Sequence, residues 1–373
     1  MDFTGWCMPD NVQQIMDNLW MIEDSFVEPG FALPQAASAL LYQGAKGLYL
    51  VNSGMGGGVR AAIEEQMMAL NAPRAFTLLN TGSGIASNGN NDIIHNVLAE
   101  QKDHFVLSVP AVDEAHALAE RLYAVSGYVD PFHAVEGNAL RQFGLRAVRD
   151  VLAAFFGQRT TLRWMISFFV RRWPLVNVSA VTMTPLPLEQ VQTLTVGSVD
   201  WQGWKLGDVW ALQAAGGLWC YLPAEKTLFV PDWQNPFRPA WPGEMGEGMI
   251  ALLDKLIAMT RAGAVSVLVG GHAPEGLHGR EAIVQAAEQL RGRRMGLQQA
   301  LEAVFHREPG GMTVRALHRR LRKLGHRPAV AWYLDQPLPA GMVCFEQFLV
   351  SLLLEMGCET KGVWRRKKFF CTS

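Results

Sequence analysis

Short apolar segments alternate with turn residues between positions 12 and 51, for example at 19–22 and 48–51. This rhythm is typical of antiparallel strands joined by tight turns. A glycine-rich turn at 54–58 and helical spacing at 59–70 follow, and 74–80 is predicted to be the next strand. Hairpins first and strand–turn–helix units afterwards predict an α+β fold.

The pattern returns after a mostly helical stretch at 113–180, which we interpret as an insertion. The predicted strands are 191–196, 210–213, 218–222, 227–231 and 266–269. Asn91 or Asp92, as an N-cap, predicts a helix at 92–101. Apolar spacing predicts an amphipathic helix at 247–261. The second half therefore repeats the strand-rich character of the first.

The charge of the chain is distributed unevenly. The 373 residues have a formal net charge of −1, with 49% hydrophobic and 18% charged residues, as expected of a folded protein. From position 313 to 373 there are 11 Lys and Arg against 4 Asp and Glu, a balance of +7, which leaves −8 for 1–312. This asymmetry indicates two modules, the second attracted to an acidic partner, and the change of composition beyond Leu290 places them at 1–290 and 291–373.

The cysteines are few and scattered. Five are present, without a Cys-x-x-Cys pair, and this pattern predicts neither a disulfide framework nor a zinc knuckle. We therefore expect a reducing, cytoplasmic environment. The N-terminus lacks a basic start and an apolar stretch, and no apolar run reaches membrane-spanning length, so no membrane partner is expected.

Residues 78–81 form an apolar strand ending in Asn80 and Thr81, and 89–91 read Gly-Asn-Asn. This frame resembles the metallo-β-lactamase superfamily, in which a strand leads into Thr-His-x-His-x-Asp-His and then a helix. The metal-ligand positions of that motif fall here on Gly82, Gly84, Ala86 and Ser87. The frame is present, but the ligands are not.

Four further segments match the superfamily in the right order, so that the resemblance covers about residues 15–280. They place Asn52 at the usual Asp of a turn, Gln213 at a metal-binding His, Asp232 at the bridging carboxylate and His272 at the last ligand. The resemblance implies an αββα sandwich, with the 113–180 insertion acting as a lid or a homodimer surface.

Of seven ligand positions, only Asp232 and His272 keep a metal-binding side chain. Zinc needs three or more donors per ion, and Gly and Ala offer none. The resemblance therefore implies the fold without its zinc chemistry: a pseudoenzyme without cofactor that binds a small ligand or a partner, with one weakly held metal at Asp232 and His272 left open. The candidate pocket residues are Gly82, Gly84, Ala86, Ser87, Gln213 and Trp233.

Two other interpretations of this region stay open. Ser87, His272 and Asp232 could act as nucleophile, base and orienting carboxylate on small esters, lactones or thioesters. The glycine-rich turns at 54–58 and 82–89 could instead bind an anion or a nucleotide. A structural alternative is that Asp232 and His272 simply hydrogen-bond each other in a collapsed site.

The C-terminal region is predicted to contain a basic helix at 312–322, an apolar helix at 345–356 and a hairpin at 358–370. This order resembles a winged-helix appendage. Its basic positions include Arg315, Arg319, Arg320, Arg365 and Arg366. They predict either a solvated packing or dimer face, or a surface that binds nucleic acid.

Overall fold

The computed structural model describes residues 11–28, 31–54, 57–70, 76–82, 105–108, 145–157, 160–161, 184–214, 217–231, 233, 248–270, 273–335, 345–362 and 367–371. The chain forms two compact units. The first is drawn from 1–114, 173–234 and 258–283, and the second from 115–172, 235–257 and 284–373.

The first unit contains a seven-stranded sheet whose strand order follows the chain. Its strands are β1 (Val12–Met16), β2 (Leu19–Glu28), β3 (Phe31–Gly44), β4 (Gly47–Val51), β5 (Phe76–Asn80), β6 (Phe105–Ser108) and β7 (Thr184–Pro185). Helix α1 (Gly57–Ala69) connects β4 to β5. Strands β1 to β4 pair antiparallel and β4 to β7 parallel, which confirms the predicted hairpins and the strand–turn–helix unit.

A second seven-stranded sheet also runs in chain order. Its strands are β8 (Gln192–Val196), β9 (Val199–Leu206), β10 (Val209–Ala214), β11 (Gly217–Leu222), β12 (Thr227–Val230), β13 (Val267–Gly270) and β14 (Ala273–His278). All pairings are antiparallel except β12 with β13. Strand β9, which the sequence pattern did not predict, has a glycine and three polar residues within it.

The core of this unit lies between the two sheets. Side chains alternate along a strand, so Leu218, Cys220 and Leu222 of β11 all face the first sheet and are buried with Tyr42 and Val51. The outer face of the first sheet is covered by the apolar side of α1. Two face-to-face sheets, the first of them covered by a helix, agree with the predicted sandwich.

The second unit is mainly helical in its described part. Its elements, some extending into the first unit, are α2 (Leu145–Phe156), α3 (Met249–Arg261), α4 (Arg280–Arg307), α5 (Val314–Lys323), α6 (Pro328–Asp335), α7 (Phe345–Glu355), β15 (Glu359–Lys361) and β16 (Lys368–Phe370). Residues of α4 to α7 form one apolar core, and Met312 bridges Phe369 beside the hairpin. The predicted basic helix, apolar helix and hairpin are confirmed, whereas the predicted boundary at 290 falls within α4.

The cysteine pattern predicted no disulfide framework, but the structure contains one disulfide among the described residues. Cys358 and Cys371 are bonded, and Cys220 is free and buried. The hairpin register pairs Glu359 with Phe370, so the two flanking cysteines lie opposite each other. The spacing of the two cysteines in the sequence does not predict the bond, because only the pairing of the strands brings them together.

Within the described ranges, no helix is both long and apolar enough to cross a membrane. The helices predicted at 92–101 and over most of 113–180 lie outside the described residues. Helix α2 is the main described part of that insertion.

Candidate functional site

The ends of β4 and β5 place a group of polar residues at one edge of the first sheet. These parallel strands pair Val51 with Leu79, so the residues that follow them emerge side by side. Asn52, Ser53, Asn80, Thr81 and Gly82 are all buried there. Buried polar groups need hydrogen-bond partners, so the hydrogen bonds at this edge determine where its side chains lie.

Asn52 organises this edge. Its Oδ1 accepts two hydrogen bonds from Thr81, one from the backbone N–H and one from the hydroxyl, both at 2.9 Å. Its backbone φ is 62°, in the left-handed region that Asn tolerates better than most residues. The Asn52 N–H also donates to the carbonyl of Leu79 at 2.9 Å. The sequence had marked this Asn only as a departure from the usual Asp.

Thr81 also connects the two sheets. Its carbonyl accepts a hydrogen bond of 2.7 Å from the N–H of Leu218, at the start of β11. Leu218 pairs directly with Gln213 of β10. Two of the predicted pocket residues, the buried Gly82 and the partly exposed Gln213, therefore lie at this edge.

The ends of β12 and β13 meet at the same edge. Cys220 pairs with Phe229, and the antiparallel register brings the end of β12 to the beginning of β11. Val230 in turn pairs with Gly270, the last residue of β13. Four strand ends and the start of β11 thus converge, and we call this place the strand-end edge.

Trp233 follows β12 in a turn, with its N–H donating to the carbonyl of Val230 at 3.0 Å. It is buried, and a Cβ added to Gly270 would lie 2.3 Å from the Trp233 Cβ. Position 270 therefore requires glycine for close packing against the tryptophan. The other predicted site residues, Gly84, Ala86, Ser87, Asp232 and His272, lie outside the described residues.

The described side chains of the strand-end edge are neutral, and the group has Asn, Ser, Thr, Gln and Trp but no described carboxylate, imidazole or thiol. Zinc in this fold needs several such donors. Gly82 offers no side-chain donor, and the amide oxygen of Gln213 is a poor zinc ligand. The described residues of this edge therefore do not fit the metal centre that the fold family implies. Among all described residues, no group of three or more His, Cys, Asp or Glu could hold a metal.

Two buried N–H donors at this edge have no acceptor within the described part of the chain. They are the Nδ2 of Asn52 and the Nε1 of Trp233. A buried donor without an acceptor is unfavourable by about 1–3 kcal/mol. Each of these N–H groups can donate a hydrogen bond to an oxygen atom of a ligand.

Solved structures share this architecture. A β-lactamase domain protein from Burkholderia ambifaria is 12% identical, with 99% of this chain and 97% of that chain covered and a TM-score of 0.53. This chain has the metallo-β-lactamase fold. A metallo-β-lactamase family protein from Thermus thermophilus is 16% identical over 96% of this chain and 100% of its own, with a TM-score of 0.48.

The resemblance read from the sequence is thus confirmed at the level of the fold. Searches with family models and of curated proteins find no match. Likeness at these identities shows the fold alone. The chemistry of this protein depends on the residues at its strand-end edge.

The predicted basic surface is present on α5. Arg315, Arg319 and Arg320 are exposed there, whereas Arg365 and Arg366 lie outside the described residues. Thr313 is the N-cap of this helix, and its hydroxyl accepts from the N–H of Ala316. The cap satisfies one free N–H of the first turn, so the helix begins at Val314.

Proposed function

We propose that this protein of the metallo-β-lactamase fold has no zinc centre and acts by binding a small ligand at the strand-end edge. The observation that supports the proposal is the replacement of metal donors by groups without charge, namely Gly82 and Gln213 in two ligand positions. The positions at Gly84, Ala86 and Ser87 add no imidazole or carboxylate. A pocket of amides and one indole recognises its ligand by hydrogen bonds and apolar contact.

The chemistry of the edge favours a ligand that offers oxygen acceptors. The Nδ2 of Asn52 and the Nε1 of Trp233 can each donate to a carbonyl or carboxylate oxygen, and the Gln213 amide can donate or accept. Trp233 adds an apolar surface for the body of the ligand. We therefore expect small amides, lactones or monocarboxylates to bind.

Thermal shift with a panel of these three classes tests the proposal. A compound that binds the folded state raises the melting temperature according to its concentration and affinity. We expect Gln213→Leu to abolish the shift and Gln192→Leu, an exposed position on β8, to preserve it. Stabilisation that is equal in both variants would show that the ligand binds elsewhere.

Metal analysis tests the non-zinc part of the proposal. We expect zinc and iron well below one equivalent in the purified protein. The triple variant Gly82→His, Gly84→His and Gln213→His, which adds three imidazoles to Asp232 and His272, should gain zinc. Two equivalents of metal in the unaltered protein would refute the donor argument.

Hydrolysis of small esters, lactones or thioesters through Asp232 and His272, with Ser87, is a second candidate. The pairing of Val230 with Gly270 supports it, since each of these residues precedes one candidate by two positions on neighbouring parallel strands. Turnover of p-nitrophenyl acetate should then disappear in His272→Ala and persist in His278→Ala, a matched exposed histidine. Unchanged turnover in His272→Ala would exclude this mechanism. A zinc titration of the same variants tests a single weak metal at this pair.

We also propose that α2 forms a homodimer surface. Val151 and Phe155, one helical turn apart, are 54% and 80% exposed, and Phe156 is 53% exposed. Exposed apolar residues on one helix face favour association. Sedimentation should show a dimer that Phe155→Ser converts to monomer, whereas a monomer before substitution would contradict the proposal.

We further propose that the C-terminal elements form a winged-helix-like module. The bridge of Met312 to Phe369 places a third extended segment beside the β15–β16 hairpin, after α4 and before α5. In such modules a later helix usually enters the DNA groove. Here α7 is unsuited to that role, because eight of its eleven residues, Phe345 and 347–353, are buried. The exposed basic helix is α5.

A further inference from the structure

Helix α5 has two chemically distinct faces. Val314, Leu317 and Leu321 are buried in the apolar core of the second unit. The remaining surface is basic, with Arg315, Arg319, Arg320, Arg322 and Lys323 all exposed. Among the described arginines and lysines of α5, Arg320 is the one for which an ion pair is seen, with Glu308 at 2.7 Å; His318 contacts Glu346.

Two grooves flank this helix. One, of about 550 Å³, lies between α5 and the hairpin, and the other, of about 180 Å³, lies between α5 and the end of α4. Both include Glu308, Arg320 and Lys323, so together they form one continuous surface. The cations lining it are Arg307, Arg319, Arg320, Lys323, Arg327 and Lys368. Glu308 is the single carboxylate in either lining, which leaves a strong positive excess.

Two contacts lie at this surface. Glu308 pairs with Arg320 across the boundary between the grooves. Lys368 donates to the carbonyl of Gly310 at 3.2 Å, beside the larger groove. The charges therefore lie on both sides of α5, which suits a polyanion that spans the helix.

We propose that the α5 surface binds the phosphate backbone of duplex DNA, with α5 lying along the major groove. An anionic membrane fits this helix poorly, because its apolar side is occupied by the protein core and cannot insert into lipid. Single strands are bound by stacking on aromatic side chains, and neither groove has an aromatic residue in its lining.

The dimensions of α5 favour DNA over duplex RNA. The helix has ten residues, or about 15 Å of length. A helix of about 10–12 Å diameter fits the B-form major groove, which is about 12 Å wide, whereas the A-form major groove is too narrow. Arg315, Arg319 and Arg322 follow i, i+4, i+7 spacing along one exposed face. They would meet the groove, while Arg307, Lys323 and Lys368 meet the flanking phosphates.

Fluorescence anisotropy with a labelled mixed-sequence duplex tests the proposal. Binding should weaken as salt rises, with a slope in log K against log salt of about −0.9 for each phosphate contact. The double variant Arg307→Ala with Lys323→Ala, which removes two of the expected phosphate contacts, should bind at least tenfold more weakly. Its slope should be smaller in magnitude by about two, because two contacts are lost.

Lys46→Ala with Lys205→Ala is the matched control, since it removes two exposed lysines of the first unit. It should leave duplex affinity unchanged, and both double variants should unfold at the same urea concentration as the unaltered protein. Absence of binding at low salt would overturn the proposal. So would equal losses in the two double variants, or tighter binding of single-stranded DNA, duplex RNA or polyglutamate than of duplex DNA.

Discussion

Leu218 and Thr81 join the two sheets, because the N–H of one donates to the carbonyl of the other at 2.7 Å beside the candidate pocket. Thr81 is in turn held by Asn52. The position of Gln213, the strand partner of Leu218, therefore depends on an amide that lies on another sheet. Stability and ligand binding should be coupled at this place.

Replacement of Asn52 tests its contribution to stability at this place. Asn52→Ala removes the acceptor for both donors of Thr81 and puts alanine in a left-handed conformation, so the free energy of unfolding should fall by about 2–4 kcal/mol. Asn52→Gly should recover about 1 kcal/mol, since glycine adopts this φ without strain. Urea denaturation measures both changes. Equal stability of Asn52→Ala and the unaltered protein would show that Thr81 does not depend on this amide.

Tyr42 should make stability depend on alkaline pH. Its hydroxyl donates to Oε2 of Glu225 at 2.8 Å. Burial, followed by the hydrogen bond and negative charge of Glu225, raises the pKa of Tyr42. An unfolded tyrosine ionises at about pH 10, so this stabilisation is complete below that pH and is lost as pH rises further.

Tyr42→Phe should therefore cost about 1 kcal/mol at neutral pH and lose stability less steeply above pH ~10 than the unaltered protein does. Urea unfolding on both sides of this pH provides the comparison. The other buried tyrosines titrate in both proteins, so the difference isolates Tyr42. Parallel pH profiles would contradict the prediction.

A buried ion pair should stabilise the second unit. Arg294 is 1% exposed, with its Nη2 2.7 Å from Oε2 of Glu355 and its guanidinium 5.3 Å from the Phe348 ring. Arg294→Met leaves Glu355 largely buried without its partner, so unfolding should become easier by about 3–5 kcal/mol.

Arg291, on the same helix, provides the control. Its contact with Asp254 is 2.6 Å, but the two side chains are 35% and 50% exposed. Arg291→Ala should cost less than about 1 kcal/mol, because water competes with an exposed pair. If chemical denaturation gave equal losses of unfolding free energy for the two variants, burial would not account for a difference between the two ion pairs.

The Cys358–Cys371 bond should stabilise the hairpin that supplies Phe369 to the core and Lys368 to the α5 surface. Removing it in Cys358→Ser with Cys371→Ser should lower unfolding free energy by about 3 kcal/mol, as expected for a loop of this length. Unaltered protein and variant are compared by thermal unfolding under oxidising conditions.

Alkylation followed by mass spectrometry measures the redox state. Both thiols should resist alkylation until the protein is reduced. Cys220 should stay unmodified in the native protein in either case, because burial raises the pKa of its thiol. Free Cys358 and Cys371 thiols in protein trapped inside cells would instead agree with the predicted cytoplasmic environment.

Much of the architecture could be read from local patterns. Alternating apolar residues predict β10 to β12, and helical spacing predicts α1, α3 and α5, because each pattern depends on neighbours along the chain. The absence of zinc donors at Gly82 and Gln213 is likewise a matter of residue type. No arrangement of the backbone gives a glycine a metal-binding side chain.

The contacts between distant segments were decided by the tertiary structure. Strand register places Cys358 opposite Cys371, and packing of two sheets brings Thr81 to Leu218. Burial of one side of α5 determines which of its arginines face solvent. These relationships depend on turn geometry and on the summed packing of many side chains, and periodicity within a single segment contains neither.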